Sequence, residues 1–371
     1  MSDPKTYKQY KQLFSKLLQV ALRKEGEVPN LPTAKEWTKV YGESERQAIV
    51  GIMLSGLDKI SSTQRPPQEL LLQWIGVGQM IEQRNAVMDN AVVSLCKRLD
   101  SHDIQYLVVK GQTVAALYPQ KGTRQSGDID FIVHPSDWER TYRLFAYELG
   151  EETIDTHSEK HVEWEKDGIS YEMHRWLNDF ASKEHQRYWD EVVMKEAWEH
   201  PYSVEIEGYD IPTLAPVYNV LFIFVHLFYH LINEGVGLRQ FVDWYVLIDT
   251  LEISAESLEK RLKGIGLYDA FCGCGAVLTD YLGLQEEKFP FAISEKYHKL
   301  AHKIVENILK VGNFGHNRQY AHPHGVIHGL QQMGSLIEQC WKFGYLAPSE
   351  SWGYIIVKIR WWRKKLAKNL K

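Results

Sequence analysis

The chain has 371 residues, 44% of them apolar, which is enough for two or three packed units and excludes extended disorder. A formal net charge of −5 supplies no broad attraction for a long polyanion, so non-specific duplex binding is disfavoured, although a local basic patch stays open. The four cysteines, Cys96, Cys272, Cys274 and Cys340, are too scattered for a disulfide framework and fit a reducing compartment.

The opening MSDPKTYKQYKQ carries no signal-peptide run, and the most apolar stretch, Val217 to Leu231, is shorter than a bilayer crossing. A cytoplasmic location is the expectation. Up to residue 100 the texture is helical: Tyr7, Tyr10, Phe14, Leu17 and Leu18 recur at helical spacing, and Pro66 and Pro67 open a second long run. That run, to Leu99, reads as one bent helix or two.

From Ser101 the pattern changes. Ile104 to Gly111 is a short β-rich run, Gln112 to Tyr118 suits a helix, and Pro119 to Gly127 is a loop. Asp128 to His134 is a second strand. Pro135 to Gly150 reads as a helix with Ser136 at its cap, and HVEWEK and ISYEMHRW flank a hairpin turn at Asp167-Gly168. From Pro212 onward helices return, over 215–232, 238–251, 255–265 and 268–282. The expected class is α+β: a small mixed β-sheet between helical flanks, divided as 1–100, 101–211 and 212–371.

Asp128 and Asp130 sit two apart on one predicted strand, so both leave the same face while Ile129, Phe131 and Val133 leave the other. Adjacent carboxylates repel, and a divalent cation removes that repulsion. An Asp-x-Asp pair at a strand edge also serves to block edge pairing. In ISYEMHRW, Glu172 and His174 share a face opposite Ile169, Tyr171 and Met173, so Glu172 joins the aspartates if that strand lies alongside. Upstream, Lys110-Gly111 ends a strand at a helix start, where glycine permits close approach of a phosphate and lysine adds a point charge.

The run KGQTVAALYPQKGTRQSGDIDFIV resembles the uncharacterised nucleotidyltransferase family of the DNA polymerase β-like nucleotidyltransferase superfamily, through Lys110, Gly111, Tyr118, Pro119, Arg124, Gly127, Asp128, Ile129 and Asp130. Glu172 and His174 are similar to its third acidic position, and His226, His230, Arg239 and Asp243 to its downstream helical part. The likeness spans roughly residues 40 to 290. It implies the minimal nucleotidyltransferase fold and metal-assisted transfer of NMP from an NTP with release of pyrophosphate. Gly111-Gln112 departs from the usual Gly-Gly or Gly-Ser, which leaves the NTP to the backbone, Lys110 or Arg124.

The expected site therefore has Asp128, Asp130 and Glu172 as catalytic ligands of Mg2+ or Mn2+, with Lys110, Gly111, Arg124, Gly127, His174 and Arg239 around the nucleotide. His174 orients Glu172, touches substrate or stays at the surface, and Arg124 pairs with phosphate or holds its own loop. Arg239 and Asp243, four apart, read by default as a helix salt bridge. His226 and His230 lack the glutamate of a zinc helix and read as packing or cleft-lining residues. Cys272 and Cys274 read as core thiols, and His316, His322, His324 and His328 as a solvent loop. The tail from Lys358 to Lys371, with Trp361, Trp362 and seven basic residues, either docks on the helical region or meets an anionic surface. A small molecule or protein suits the acidic chain as acceptor better than a long nucleic acid. The alternative is a nucleotide-binding or regulatory module that keeps the fold without turnover.

Overall fold

The computed structural model describes residues 4–23, 27–28, 31–233, 235–313 and 325–369. The first hundred residues form four helices, α1 (Pro4–Leu22), α2 (Ala34–Arg46), α3 (Val50–Asp58) and α4 (Gln68–Asp100). Thr33 starts α2 with a capping box: its hydroxyl accepts the Glu36 backbone N–H, and its own N–H donates to the Glu36 carboxylate. The run after Pro67 is one helix of 33 residues, about 50 Å long at 1.5 Å per residue. Gly78 allows α3 to press against it, since a Cβ there would lie 2.2 Å from Leu54 Cδ2.

Next come β1 (Tyr106–Val109), the single turn α5 (Gly111–Ala115), β2 (Asp128–Val133), α6 (Trp138–Leu149), β3 (His161–Lys166) and β4 (Ile169–His174). The sheet order is β1-β2-β4-β3, with β2 and β4 parallel and the other pairs antiparallel. Asp167 and Gly168 take φ of 54° and 69°, which gives the right-twisted two-residue turn joining β3 to β4. Ser136 does not cap α6. Its hydroxyl bonds His134 instead, and Asp137 precedes the helix while accepting the Gln105 N–H.

The remainder comprises α7 (Lys183–Tyr188), α8 (Lys195–Glu199), β5 (Tyr202–Ile206), β6 (Tyr209–Thr213), α9 (Pro216–Ile232), α10 (Leu238–Thr250), α11 (Ala255–Gly264), α12 (Tyr268–Val277), α13 (Glu295–Val311), α14 (Gly325–Phe343) and α15 (Pro348–Asn369). A π-helical stretch, Trp189–Met194, joins α7 to α8. The β5–β6 hairpin, turning at Glu207-Gly208 with positive φ at both, was not anticipated from the sequence.

Two apolar cores result. One lies behind the sheet, where Ile129, Phe131, Val133, Val162, Trp164, Tyr171 and Met173 meet the second half of α4 and Phe145 of α6. The larger core joins the N-terminal helices to the C-terminal ones and includes Phe14, Trp37 and Trp74 together with Phe224, Trp244 and Phe271. The long helix α4 reaches both, with Trp74 in one and Met88 to Leu99 in the other. Cys272 and Cys274 are buried thiols, and burial pushes the Cys272 thiol up to about 11.

Among the described residues no helix is long and apolar enough to cross a membrane. On α14 and α15, Ile337, Trp341, Trp352, Ile356 and Ile359 are exposed. His316, His322 and His324 lie outside the described residues, whereas His328 falls in α14 rather than in a loop. The side chains of Trp361 and Trp362 also lie outside them.

Candidate metal and nucleotide site

The parallel pairing of β2 with β4 sets Asp128 opposite Ser170 and Asp130 opposite Glu172. Strand alternation sends the apolar partners into the core behind and leaves the carboxylates together on the other face. One oxygen from each of Asp128, Asp130 and Glu172 lies within 4.8 Å of the others. At that spacing each pair of full charges repels by roughly 3–4 kcal/mol at an effective dielectric near 20. A hard divalent ion relieves this, and three convergent carboxylate oxygens are the donor set it prefers.

Lys110 meets part of the need. Its Nζ donates to Asp130 Oδ1 at 3.0 Å. Burial disfavours its ammonium, but Asp130, followed by Asp128, outweighs burial and raises its pKa above the usual lysine value. Burial likewise opposes the Asp130 carboxylate, yet Lys110 and His174 hold its pKa well below the usual range. Asp128 makes no such hydrogen bonds among the described residues: burial first, then neighbouring Asp130, pushes its carboxyl up against the weaker opposing pull of Lys110. The backbone at Lys110 has φ of 56°, a region costing a non-glycine residue of order 1–3 kcal/mol, and Gly111 follows at 38°. This turn presents Lys110 and Gly111 to the cavity.

His174 is not a surface residue. It is 4% exposed, its Nε2 lies 2.8 Å from Asp130 Oδ1 and 3.4 Å from Glu172 Oε2, and its Nδ1 is buried without a partner among the described residues. Since a carboxylate only accepts, Nε2 carries the proton of this bond.

The opposite wall is helical. A cavity of about 260 Å3 lies between the carboxylates and α9–α10, with Lys110, Gly111, Arg124, His226, His230, Arg239 and Asp243 also along its lining. Arg124 pairs chiefly with a residue far along the chain. Its Nε and Nη2 donate to the two oxygens of Asp243 at 2.8 and 2.9 Å, its Nη1 reaches Ser126, and Tyr118 donates to Asp243 at 2.6 Å. Burial opposes its charge, but Asp243 keeps it firmly protonated. The expected Arg239–Asp243 helix pair is therefore absent, because Asp243 turns inward to the loop before β2.

Arg239 instead donates to the Gln125 carbonyl at 2.8 Å, and its Nε is buried without a partner among the described residues. Among the described residues no carboxylate forms an ion pair with it. Burial first, then Arg124, lowers its pKa. A buried guanidinium that lines a cavity and makes no ion pair among the described residues is suited to meet an anionic ligand. His226 and His230 line the same wall with Nε2 atoms 3.1 Å apart, and burial holds both pKa values low, His230 down to about 3.

Two other residues stand off the cavity. Gly127 is exposed and does not line the cavity, and a Cβ there would meet nothing within 4 Å. Gln112 turns away from the site, donating to Asn85 and Asp89 on α4. Sequence reasoning missed Lys160, just before β3, whose pKa burial lowers and whose ammonium feels the charges of Lys110, Asp130 and Glu172. It also missed His161, the cross-strand partner of His174. The Asp167-Gly168 turn fixes that register and was the available signal.

A sheet presenting an Asp-x-Asp pair and a neighbouring glutamate, beside a Lys-Gly turn and an arginine-lined cavity, defines a protein of nucleotidyltransferase type. Residues 33–283 match the family described as "Uncharacterised nucleotidyltransferase", and the chain belongs to that family. A solved antigenic nucleotidyltransferase-like protein from Paracoccidioides brasiliensis is similar over 54% of this chain and 95% of its own, at 14% identity and a TM-score of 0.35. No curated protein matches.

Proposed function

We propose that this chain transfers a nucleoside monophosphate from an NTP to a hydroxyl or amine on a small-molecule or protein acceptor, with release of pyrophosphate. The observation carrying this reading is a single cavity with convergent carboxylates on one wall and the unpaired Arg239 on the other. Asp128, Asp130 and Glu172 would hold Mg2+ or Mn2+, which supply charge neutralisation at the phosphates and activation of the attacking oxygen.

The chain's own residues do the rest. Arg239 meets the triphosphate, Gly111 leaves room for it, and Lys110 shares its charge between Asp130 and the phosphates. The Arg124–Asp243 clasp holds the loop that leads into β2, and with it the positions of both aspartates. The acceptor oxygen or nitrogen bonds to the α-phosphorus while the α–β bridging P–O bond breaks, its electron pair leaving with pyrophosphate. The acceptor proton passes to Glu172 and then to solvent. His174 acts through Asp130 by fixing its orientation. The basic segment from Lys358, beside exposed Ile356 and Ile359, suits contact with an anionic surface.

Incubation with each labelled NTP, Mg2+ and an acceptor panel tests the reaction. Pyrophosphate release by the native chain and not by Asp130→Asn is expected. A second reading, a nucleotide-binding module without turnover, draws on two observations: Lys110 already neutralises Asp130, and Gln112 offers the phosphates no hydroxyl. Nucleotide binding with no pyrophosphate release across the panel selects it.

A further inference from the structure

On the same sheet face, one row beyond the aspartates, a second donor set comes together. His161 on β3 is the direct cross-strand partner of His174 on β4, with ring centroids 5.3 Å apart. One donor atom from each of His161, Glu172 and His174 lies within 4.8 Å of the others. Glu172 thus belongs to both groups, which makes it the hinge between an all-oxygen set and one with two imidazoles.

We propose that His161, Glu172 and His174 form a second cation site, selective for a borderline divalent ion such as Zn2+ or Co2+ over Mg2+. Imidazole nitrogen favours such ions, whereas Mg2+ keeps to oxygen and sheds water reluctantly. The environment of His174 is the arrangement such a ligand needs. Its Nε2 is committed to Asp130, and its Nδ1, in a ring only 4% exposed, has no partner among the described residues. A histidine metal ligand characteristically donates its other ring N–H to a carboxylate in this way. His161 remains accessible from solvent at its side chain, which gives an ion an entry path. Because Glu172 is shared, occupancy of the imidazole set changes what the aspartates can hold. The site thereby ties the availability of a transition metal to the carboxylate centre. The inference stands on donor geometry alone and holds whether or not the chain turns over nucleotide.

The probe is Co2+, added to tag-free protein and followed by visible absorption and calorimetry, with Mg2+ titrated separately. Native protein takes up Co2+ with ligand-field bands that Zn2+ abolishes and excess Mg2+ does not. His161→Ala lowers Co2+ affinity at least tenfold and leaves Mg2+ affinity within about twofold. Asp128→Asn shows the reverse, weakening Mg2+ and sparing Co2+. His161→Cys adds an intense near-ultraviolet thiolate-to-cobalt charge-transfer band, a positive sign that position 161 ligates the ion. Far-UV circular dichroism checks that each variant folds. Displacement of Co2+ by Mg2+ in the native chain overturns the proposal without reference to any variant. So does unchanged Co2+ affinity in His161→Ala, or a His161→Cys protein without the new band. Loss of pyrophosphate release with Co2+ uptake intact would count against the transferase reading and not against this site.

Discussion

The two walls of the cavity handle charge in opposite ways. On the sheet wall three carboxylates face one another with one lysine among them, so negative charge is left over. On the helical wall the strongest pair, Arg124 with Asp243, is complete and buried, and the leftover charge is the positive one on Arg239. The comparison teaches that completed pairs build the site and incomplete ones await ligands. A residue's charge alone does not say which it is.

Breaking the sheet wall should have the largest effect. Asp128→Asn or Asp130→Asn is expected to cut metal-dependent pyrophosphate release roughly 10³-fold or more; thermal stability is kept or raised in Asp128→Asn, where repulsion is relieved, and lowered in Asp130→Asn, which leaves Lys110 and His174 without their carboxylate. Breaking the completed pair comes next. Asp243→Asn leaves Arg124 buried without its counter-charge and is expected to cost about 3–5 kcal/mol of stability in denaturant unfolding. Equal stability would remove the clasp's structural role. Arg239→Ala should do the reverse: nucleotide affinity falls about 10–100-fold by calorimetry, while the melting temperature stays level or rises. A variant that unfolds instead would place Arg239 with Arg124.

The smallest effect sharpens the comparison within one wall. Burial and Asp130 raise the Asp128 pKa, whereas Asp130 itself is held low by Lys110 and His174. Protons therefore compete with cations at Asp128 first. Mg2+ affinity should fall a few-fold as pH drops through the elevated Asp128 value, and Asp128→Asn should flatten that dependence.

Much of this was readable from local rules. Alternation over two residues placed Asp128 with Asp130 and Glu172 with His174, and the Asp167-Gly168 turn set the hairpin that carries Glu172. The parallel contact of β2 with β4 entered only as a condition, since α6 and β3 separate them in the chain. The charge pairs were less legible. Arg124 meets Asp243 across 119 residues, and the nearer Arg239 loses that partner because tertiary geometry outranks helical spacing. The β5–β6 hairpin escaped notice because its turn is Glu207-Gly208, without the usual Asn or Asp, and because Pro212 lies within β6. Gln112, which broke the family pattern, proved to serve α4.

The clasp between Arg124 and Asp243 also bears on modularity. The aspartates stand on the sheet, but the strut that steadies the loop before them rises from α10, more than a hundred residues downstream. An excised sheet segment would keep the ligands and lose their scaffold. Sheet and C-terminal helices are thus not interchangeable parts, and grafting this carboxylate cluster onto another protein would require carrying α10 with it.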